Sequence, residues 1–384
     1  MEQYVQVLMG LLKSRVTGAP ADIAGFSALS EQEQQKLGAL SRSHSVSQLV
    51  GDALGGSLGA LPTVAPLVQD TLGALGRTEV MEYDRQQITG VLKQAGIPFI
   101  QLKGARIRGY YPEPWMRSSG DIDILVHEQD AERAAGLLEQ QLQCTRGARC
   151  YHDILLTTPE GVELELHFSL RINVPDIDRL LARVWEQSRP VQDSCEYVQT
   201  PEFFIFHVVA HMVHHFLSGG FGIRFLLDYF LLQQKLRWDD RAVSELCREA
   251  GIETFRQNMQ QLVQVWFRDG SYTPQAQRME AYILEGGIFG SRENGIAVQQ
   301  NQHDSRFYYL LRRVFPKTAY MRATYPELRD RPYLLPVCHV RRWASEYRQR
   351  RLRMVSSVLH MTRDMDPETV AAVRQLLADN DMLP

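Results

Sequence analysis

Apolar residues recur at helical spacing through the first quarter of the chain. Val5, Leu8, Met9 and Leu12 share one helical face, and Leu72, Leu75, Val80, Tyr83, Ile88, Val91 and Leu92 follow the same period later. Residues 1–96 are therefore predicted to be a helical region. Within it, the glycine-rich stretch 51–59 predicts a loop or helix junction; it has the look of a nucleotide loop, but no strand pattern precedes it and no Lys-Ser or Lys-Thr follows. Gly96 and Pro98 end the last helix. The period then changes to two. Residues 98–102 predict a strand, and Ser119-Gly-Asp-Ile-Asp-Ile-Leu-Val126 predicts another, with Asp121 and Asp123 on one face and Ile122, Ile124 and Val126 on the other. An amphipathic helix over 129–142 comes next. A hairpin of 151–158 and 162–170 turns at Pro159-Glu160-Gly161 and puts Glu163, Glu165 and His167 opposite Val162, Leu164, Leu166 and Phe168. A helix over 175–187 and a short strand at 195–199 complete this part. From Pro201 the helical period returns, with helices at 241–250, 252–267 and 275–284 and a polar, glycine-bearing loop over 286–301 long enough to be a lid or a mobile connection. The expected fold is α+β: a small mixed β-sheet core (97–200) with helices on one face, flanked by an N-terminal (1–96) and a C-terminal (201–384) helical domain.

Two strands that aim acids from one face predict chemistry. Neighbouring same-face carboxylates on a strand stand roughly 7 Å apart by strand rise, close enough to converge on one cation or a pair. Without a cation or a proton their repulsion raises a pKa and destabilises the strand, so the pattern calls for a divalent partner, magnesium first and manganese second. Placed beside the Asp121 strand, Glu163 or Glu165 supplies a third acid, and the pattern alone does not choose between them. Lys103-Gly104 follows the first strand directly, where a positive charge and an approachable backbone suit phosphates. Arg117 either binds phosphate or neutralises a carboxylate.

The ordered set Ile97-Pro-Phe-Ile-Gln-Leu-Lys103-Gly104, Tyr110-Tyr-Pro112, Arg117, Asp121-Ile-Asp123 and Glu165-Leu-His167 resembles the uncharacterised bacterial nucleotidyltransferase family of the polymerase-beta superfamily, over about residues 80–235. In that superfamily a Gly-Ser pair at a helix start holds phosphates and precedes two acids and a third on a later strand. Here the pair is Gly104-Ala105, without the hydroxyl, and the segment to Asp121 is long. The resemblance implies Asp121, Asp123 and Glu165 as catalytic residues and ligands of two Mg²⁺ ions, and Lys103, Gly104, Arg117, His211 and Asp228 as nucleotide-binding residues. It implies transfer of an NMP group from an NTP, ATP foremost, to a hydroxyl on a small molecule, a protein or RNA. The missing serine keeps open a non-catalytic nucleotide-sensing or interaction module on the same fold.

Composition changes little in this picture. The 384 residues suffice for two or three domains, and a net charge of −3 identifies no partner. Five cysteines without C-x-x-C spacing suggest neither a disulfide framework nor a zinc knuckle and point to a reducing, cytoplasmic setting; no charge-free apolar run reaches membrane-spanning length. His207, His211, His214 and His215 form one helical stripe, either a packed face or transition-metal ligands, and Arg224 and Asp228 at i, i+4 either pair with each other or join the site. From Arg312 to Arg353 twelve Lys or Arg stand against three acids, a face for RNA or the triphosphate, or a solvated one. The stripe and the basic segment also leave open an RNA-binding or metal-dependent hydrolytic protein.

Overall fold

The helical period of the first quarter resolves into α1 (Gln3–Thr17), α2 (Ile23–Ser27), α3 (Glu31–Ser43), α4 (Ser47–Leu58) and α5 (Ala65–Gln94). The computed structural model describes residues 2–268, 270–301, 315, 318, 321–322, 325–328, 331–348 and 367–383. A reciprocal capping box between Ser30 and Glu33 starts α3. Most of the glycine-rich stretch is helix and not loop: α4 runs through Gly51, Gly55 and Gly56, and only Gly59, its C-cap, opens the junction to α5. A Cβ on Gly51 would lie 2.1 Å from the Leu67 carbonyl oxygen, so glycine lets α4 and α5 meet backbone to backbone. What reads as a loop by composition is a packing groove.

The core follows as β1 (Phe99–Gln101), α6 (Lys103–Arg108), β2 (Asp121–Val126), α7 (Ala131–Leu142), β3 (Thr145–Arg149), β4 (Asp153–Thr157), β5 (Glu163–His167), α8 (Pro175–Leu181), β6 (Ser188–Pro190) and β7 (Glu196–Gln199). The strands form one mixed sheet in the order β3-β4-β5-β2-β1-β7-β6. β2 runs parallel to β5 and antiparallel to β1, and β1 runs parallel to β7. Helices α5 and α7 cover one face, burying Ile122, Ile124, Val126, Leu164 and Leu166 with Ile88, Leu92 and Leu138. Fully burying such a side chain is worth about 1.5–3 kcal/mol, so a one-residue slip, which would put five of them in water and the acids in the core, is strongly disfavoured. The register is thereby set. Two edge strands, β3 and β6, were not anticipated, and α8 stops six residues short of 187 because the chain turns after Leu181.

On the opposite face Ile100 and Leu125 join Ile107 of α6 in a second core, which α9 (Pro201–Ser218) dominates with Phe203, Phe204, Ile205 and Phe206. Thr200 caps α9, its hydroxyl accepting the Phe203 N–H, and Pro201 occupies the first turn. Then come α10 (Ile223–Lys235), α11 (Asp240–Glu249), α12 (Glu253–Phe267), α13 (Pro274–Gly286), α14 (Arg292–Asn301), α15 (Leu335–Arg348) and α16 (Pro367–Ala378). Residues of α1, α3 and α4 share this core with α9–α13, so the helices from the two ends of the chain are packed together.

The 286–301 segment is not the mobile loop its composition predicts. Its second half is α14, and its first half is pinned by Ile288 N–H to the Ser43 carbonyl at 2.7 Å and Ser291 N–H to the Gly219 carbonyl at 3.1 Å. Gly219 and Gly290 touch through their backbones, a contact that any side chain would block. Of the basic segment, Arg312, Arg313, Lys317, Arg329, Arg350, Arg351 and Arg353 lie outside the described residues. All five cysteines are free, and among the described residues no helix is long and apolar enough to cross a membrane.

Candidate active site

The pairing of β2 with β5 puts Asp121 opposite Glu163 and Asp123 opposite Glu165. Period two then carries His167 to the same face. Its Nε2 lies 3.1 Å from Asp123 Oδ1 and 3.2 Å from Glu165 Oε2, so one imidazole N–H is shared between two carboxylates. Asp123, Glu165 and His167 each offer an atom within 4.8 Å of the others, a metal-sized group. Asp121 lines the same cavity beside that group, its Oδ1 accepting from Ser119 Oγ at 3.3 Å. Glu163 is exposed at the rim. Lys103, first residue of α6, brings Nζ to 3.9 Å from Asp123 Oδ2.

These neighbours split the acids electrostatically. Burial raises the pKa of Asp121, and the adjacent Asp123 carboxylate raises it further. Burial acts on Asp123 in the same sense but is outweighed by the Lys103 charge and the His167 hydrogen bond, which hold it well below the usual carboxylate range. For His167, burial opposes protonation while the bonds to Asp123 and Glu165 favour it, and they win, lifting it to about 9. At neutral pH an imidazolium thus holds the two acids together.

The cavity, of about 500 Å³, is closed by α9 and α10. His211, His214 and His215 line it, with His211 Nε2 and His215 Nε2 3.1 Å apart; His207 instead lies deeper, its Nδ1 3.1 Å from Gln199 Nε2. Burial, reinforced by the Lys103 charge, pushes His207 down to about 3. Burial and the neighbouring His214 push His215 down to about 3 as well, so these rings are neutral. Phe225 and Phe289 complete an aromatic wall.

Arg117 and Asp228 meet at the back of the cavity in a two-pronged pair, Nε to Oδ1 at 3.0 Å and Nη2 to Oδ2 at 2.9 Å, and Tyr111 adds its hydroxyl to Oδ1 at 2.8 Å. The remaining Arg117 Nη1 faces the Gly104 carbonyl at 3.5 Å. The i, i+4 pairing of Arg224 with Asp228 does not form. Arg224 Nη1 donates to the Ser118 carbonyl at 2.7 Å, because Arg117 and Tyr111 reach Asp228 first from the loop before β2.

A family model described as an uncharacterised nucleotidyltransferase matches residues 30–268. The chain belongs to that family. The match runs from the start of α3 to the end of α12 and so takes in the whole sheet, α6 and the histidines of α9, the elements that build the cavity in this nucleotidyltransferase. Comparison with curated proteins and with solved structures returns no match.

The structure brings together Lys103, Gly104, Asp121, Asp123, Glu165, His211, Arg117 and Asp228 around one cavity. Sequence reasoning left His167 without a role, although its place two residues after Glu165 already put it on the acid face. His152 and Asp153 form a second group with His167 within the same 4.8 Å limit. They arrive through antiparallel pairing of β4 with β5, and the hairpin expected around Pro159-Glu160-Gly161 already implies the register that sets Asp153 against His167.

Proposed function

We propose that this protein transfers a nucleotidyl group from a nucleoside triphosphate to a hydroxyl acceptor on a polymerase-beta-type core. The observation that carries the reading is the Asp123–Glu165–His167 group with Asp121 beside it and Lys103 above, at the mouth of a cavity walled by neutral rings. Carboxylate oxygens suit a hard divalent cation, and burial with the Asp123 carboxylate beside it raises the pKa of Asp121, a cost that a bound cation would relieve. Asp121, Asp123 and Glu165 would hold magnesium, which when bound neutralises the triphosphate and makes the acceptor hydroxyl more acidic. Lys103 binds phosphate oxygens. Arg117, saturated by Asp228, acts at one remove by holding the Gly104 turn against the cavity. Phe225, Phe289 and the histidines offer stacking and hydrogen bonding to the base without adding charge. The acceptor oxygen attacks the α-phosphorus, the bond to the β-phosphate oxygen breaks, pyrophosphate departs, and the hydroxyl proton passes to Glu165. Since Mg²⁺ and ATP bind the folded chain only, together they should raise the melting temperature of wild type and raise it little in Asp123→Asn. Equal stabilisation of the two proteins would sink this reading.

A further inference from the structure

α6 has two working faces. Lys103, Gly104 and Ile107 line the acidic cavity, while Ala105, Arg106, Arg108 and Gly109 line a second cavity of about 660 Å³ that shares no lining residue with the first. We propose that this second cavity is a binding site for a small organic anion, a carboxylate or phosphate monoester on a flat apolar body, with Arg108 as its charge partner. Of the other charged residues that line it, Glu79 and Glu113 are exposed to solvent, and the rest are paired. Glu82 accepts Arg85 Nε at 2.8 Å; Glu196 meets Lys93 Nζ at 2.9 Å and Gln101 Nε2 at 2.5 Å. Arg106 donates to the Gln199 carbonyl at 2.8 Å and lies over the Phe204 ring at 3.9 Å. Arg108 stands apart: it is only 7% exposed, Nε is sealed from solvent without an acceptor, and among the described residues it has no hydrogen bond or ion pair. Burial, with Arg117 nearby, outweighs the attraction of the more distant Glu82 and Asp121 and brings its pKa down to about 10, so at neutral pH it is a buried charge with no counterion in direct contact.

Such a charge is unfavourable unless something answers it. The rest of the wall states what that something carries. Leu75, Trp115, Tyr197 and Val198 are partly or fully open to the cavity and apolar, which suits a ring or short chain attached to the anion. A guanidinium takes carboxylate and phosphate alike through parallel N–H groups, so both head groups are covered by one chemistry. The site stands apart from the acids, so occupancy does not depend on nucleotidyl transfer taking place.

The test uses the full chain and reads binding by thermal shift and ligand-observed NMR. Probes are benzoate, phenyl phosphate, inorganic phosphate and, as isosteres without negative charge, benzyl alcohol and benzylamine. Benzoate or phenyl phosphate should bind wild type in the millimolar range, and their relative affinity tells the two head groups apart. Inorganic phosphate should bind more weakly, and the isosteres should not bind. Arg108→Met should weaken the anion by at least roughly tenfold, about 1.4 kcal/mol, while itself melting no lower than wild type because a partnerless charge has gone. Arg108→Lys should keep part of the affinity, and Asp123→Asn all of it. No binding of either aromatic anion to wild type overturns the proposal. So do undiminished binding to Arg108→Met and loss of binding in Asp123→Asn, the latter placing the anion in the acidic cavity.

Discussion

Asp123 is the residue on which the candidate chemistry converges, with His167, Lys103 and Glu165 all within reach of its carboxylate or of one another. Asp123→Asn keeps the shape but removes the charge that His167 and Lys103 answer and, in the proposed reaction, a ligand of the cation. Pyrophosphate release from ATP should fall by at least about 10²-fold, with near-normal far-UV circular dichroism. Turnover within a few-fold of wild type would remove Asp123 from the reaction. Arg117–Asp228 gives a second test at this scale. Removing one partner of a buried pair leaves an uncompensated charge and costs about 3–5 kcal/mol, whereas removing both is often neutral. Asp228→Leu alone should therefore be strongly destabilised in urea titrations, and Arg117→Met with Asp228→Leu should recover more than half of the loss. Independent, additive effects would mean the two side chains do not work as a pair.

At the scale of elements, legibility followed the strength of the apolar signal. β5 alternates strictly, and β2 does so as far as Leu125, because one face is fully buried and the other holds acids, so both strands and the shared face could be read directly. β3 could not: all five of its residues are exposed, and its arginines serve Glu132 and Glu139 of α7, so no buried face imposes a period. Glycine misled twice for one reason. Its composition signals a turn, while α4 and the 286–301 segment use it for close backbone approach, a property of the partner and not of the local chain. Two substitutions separate these roles. Gly290 has φ +77°, and an added Cβ would lie 2.2 Å from the Gly219 carbonyl carbon, so Gly290→Ala should cost about 2–5 kcal/mol in denaturant unfolding. Gly76, inside α5, has nothing within 4 Å of such a Cβ, and Gly76→Ala should instead gain about 0.5–1 kcal/mol. Similar outcomes for the two would refute the close-approach account.

Across the whole molecule, the two ends of the chain are joined at a buried histidine that no motif marked, because its partners lie about 180 and 240 positions away. His44 caps the end of α3; its Nδ1 accepts the Ile223 N–H at 3.2 Å, and its Nε2 faces the Leu284 carbonyl at 3.4 Å. Burial pushes its pKa from 6.5 down to about 4, the Leu284 carbonyl offsetting only part of the effect. Protonation would also take away the lone pair that holds Ile223. In the unfolded chain His44 titrates at its ordinary value, so below pH 6.5 the unfolded state binds the proton first and draws the equilibrium towards itself. The stabilisation is complete above pH 6.5, is lost progressively as pH falls towards 4, and changes no further below that. A shift of this size corresponds to roughly 3 kcal/mol. His207 and His215, depressed in the same direction, add their own acid sensitivity, so wild type alone does not isolate His44. His44→Gln does, since an amide oxygen can accept from Ile223 without titrating in this range. Its stability, measured by urea unfolding at pH 7.5, 6, 5 and 4.5, should decline less steeply than that of wild type. If the two profiles run parallel across that window, His44 does not carry the acid sensitivity of the junction.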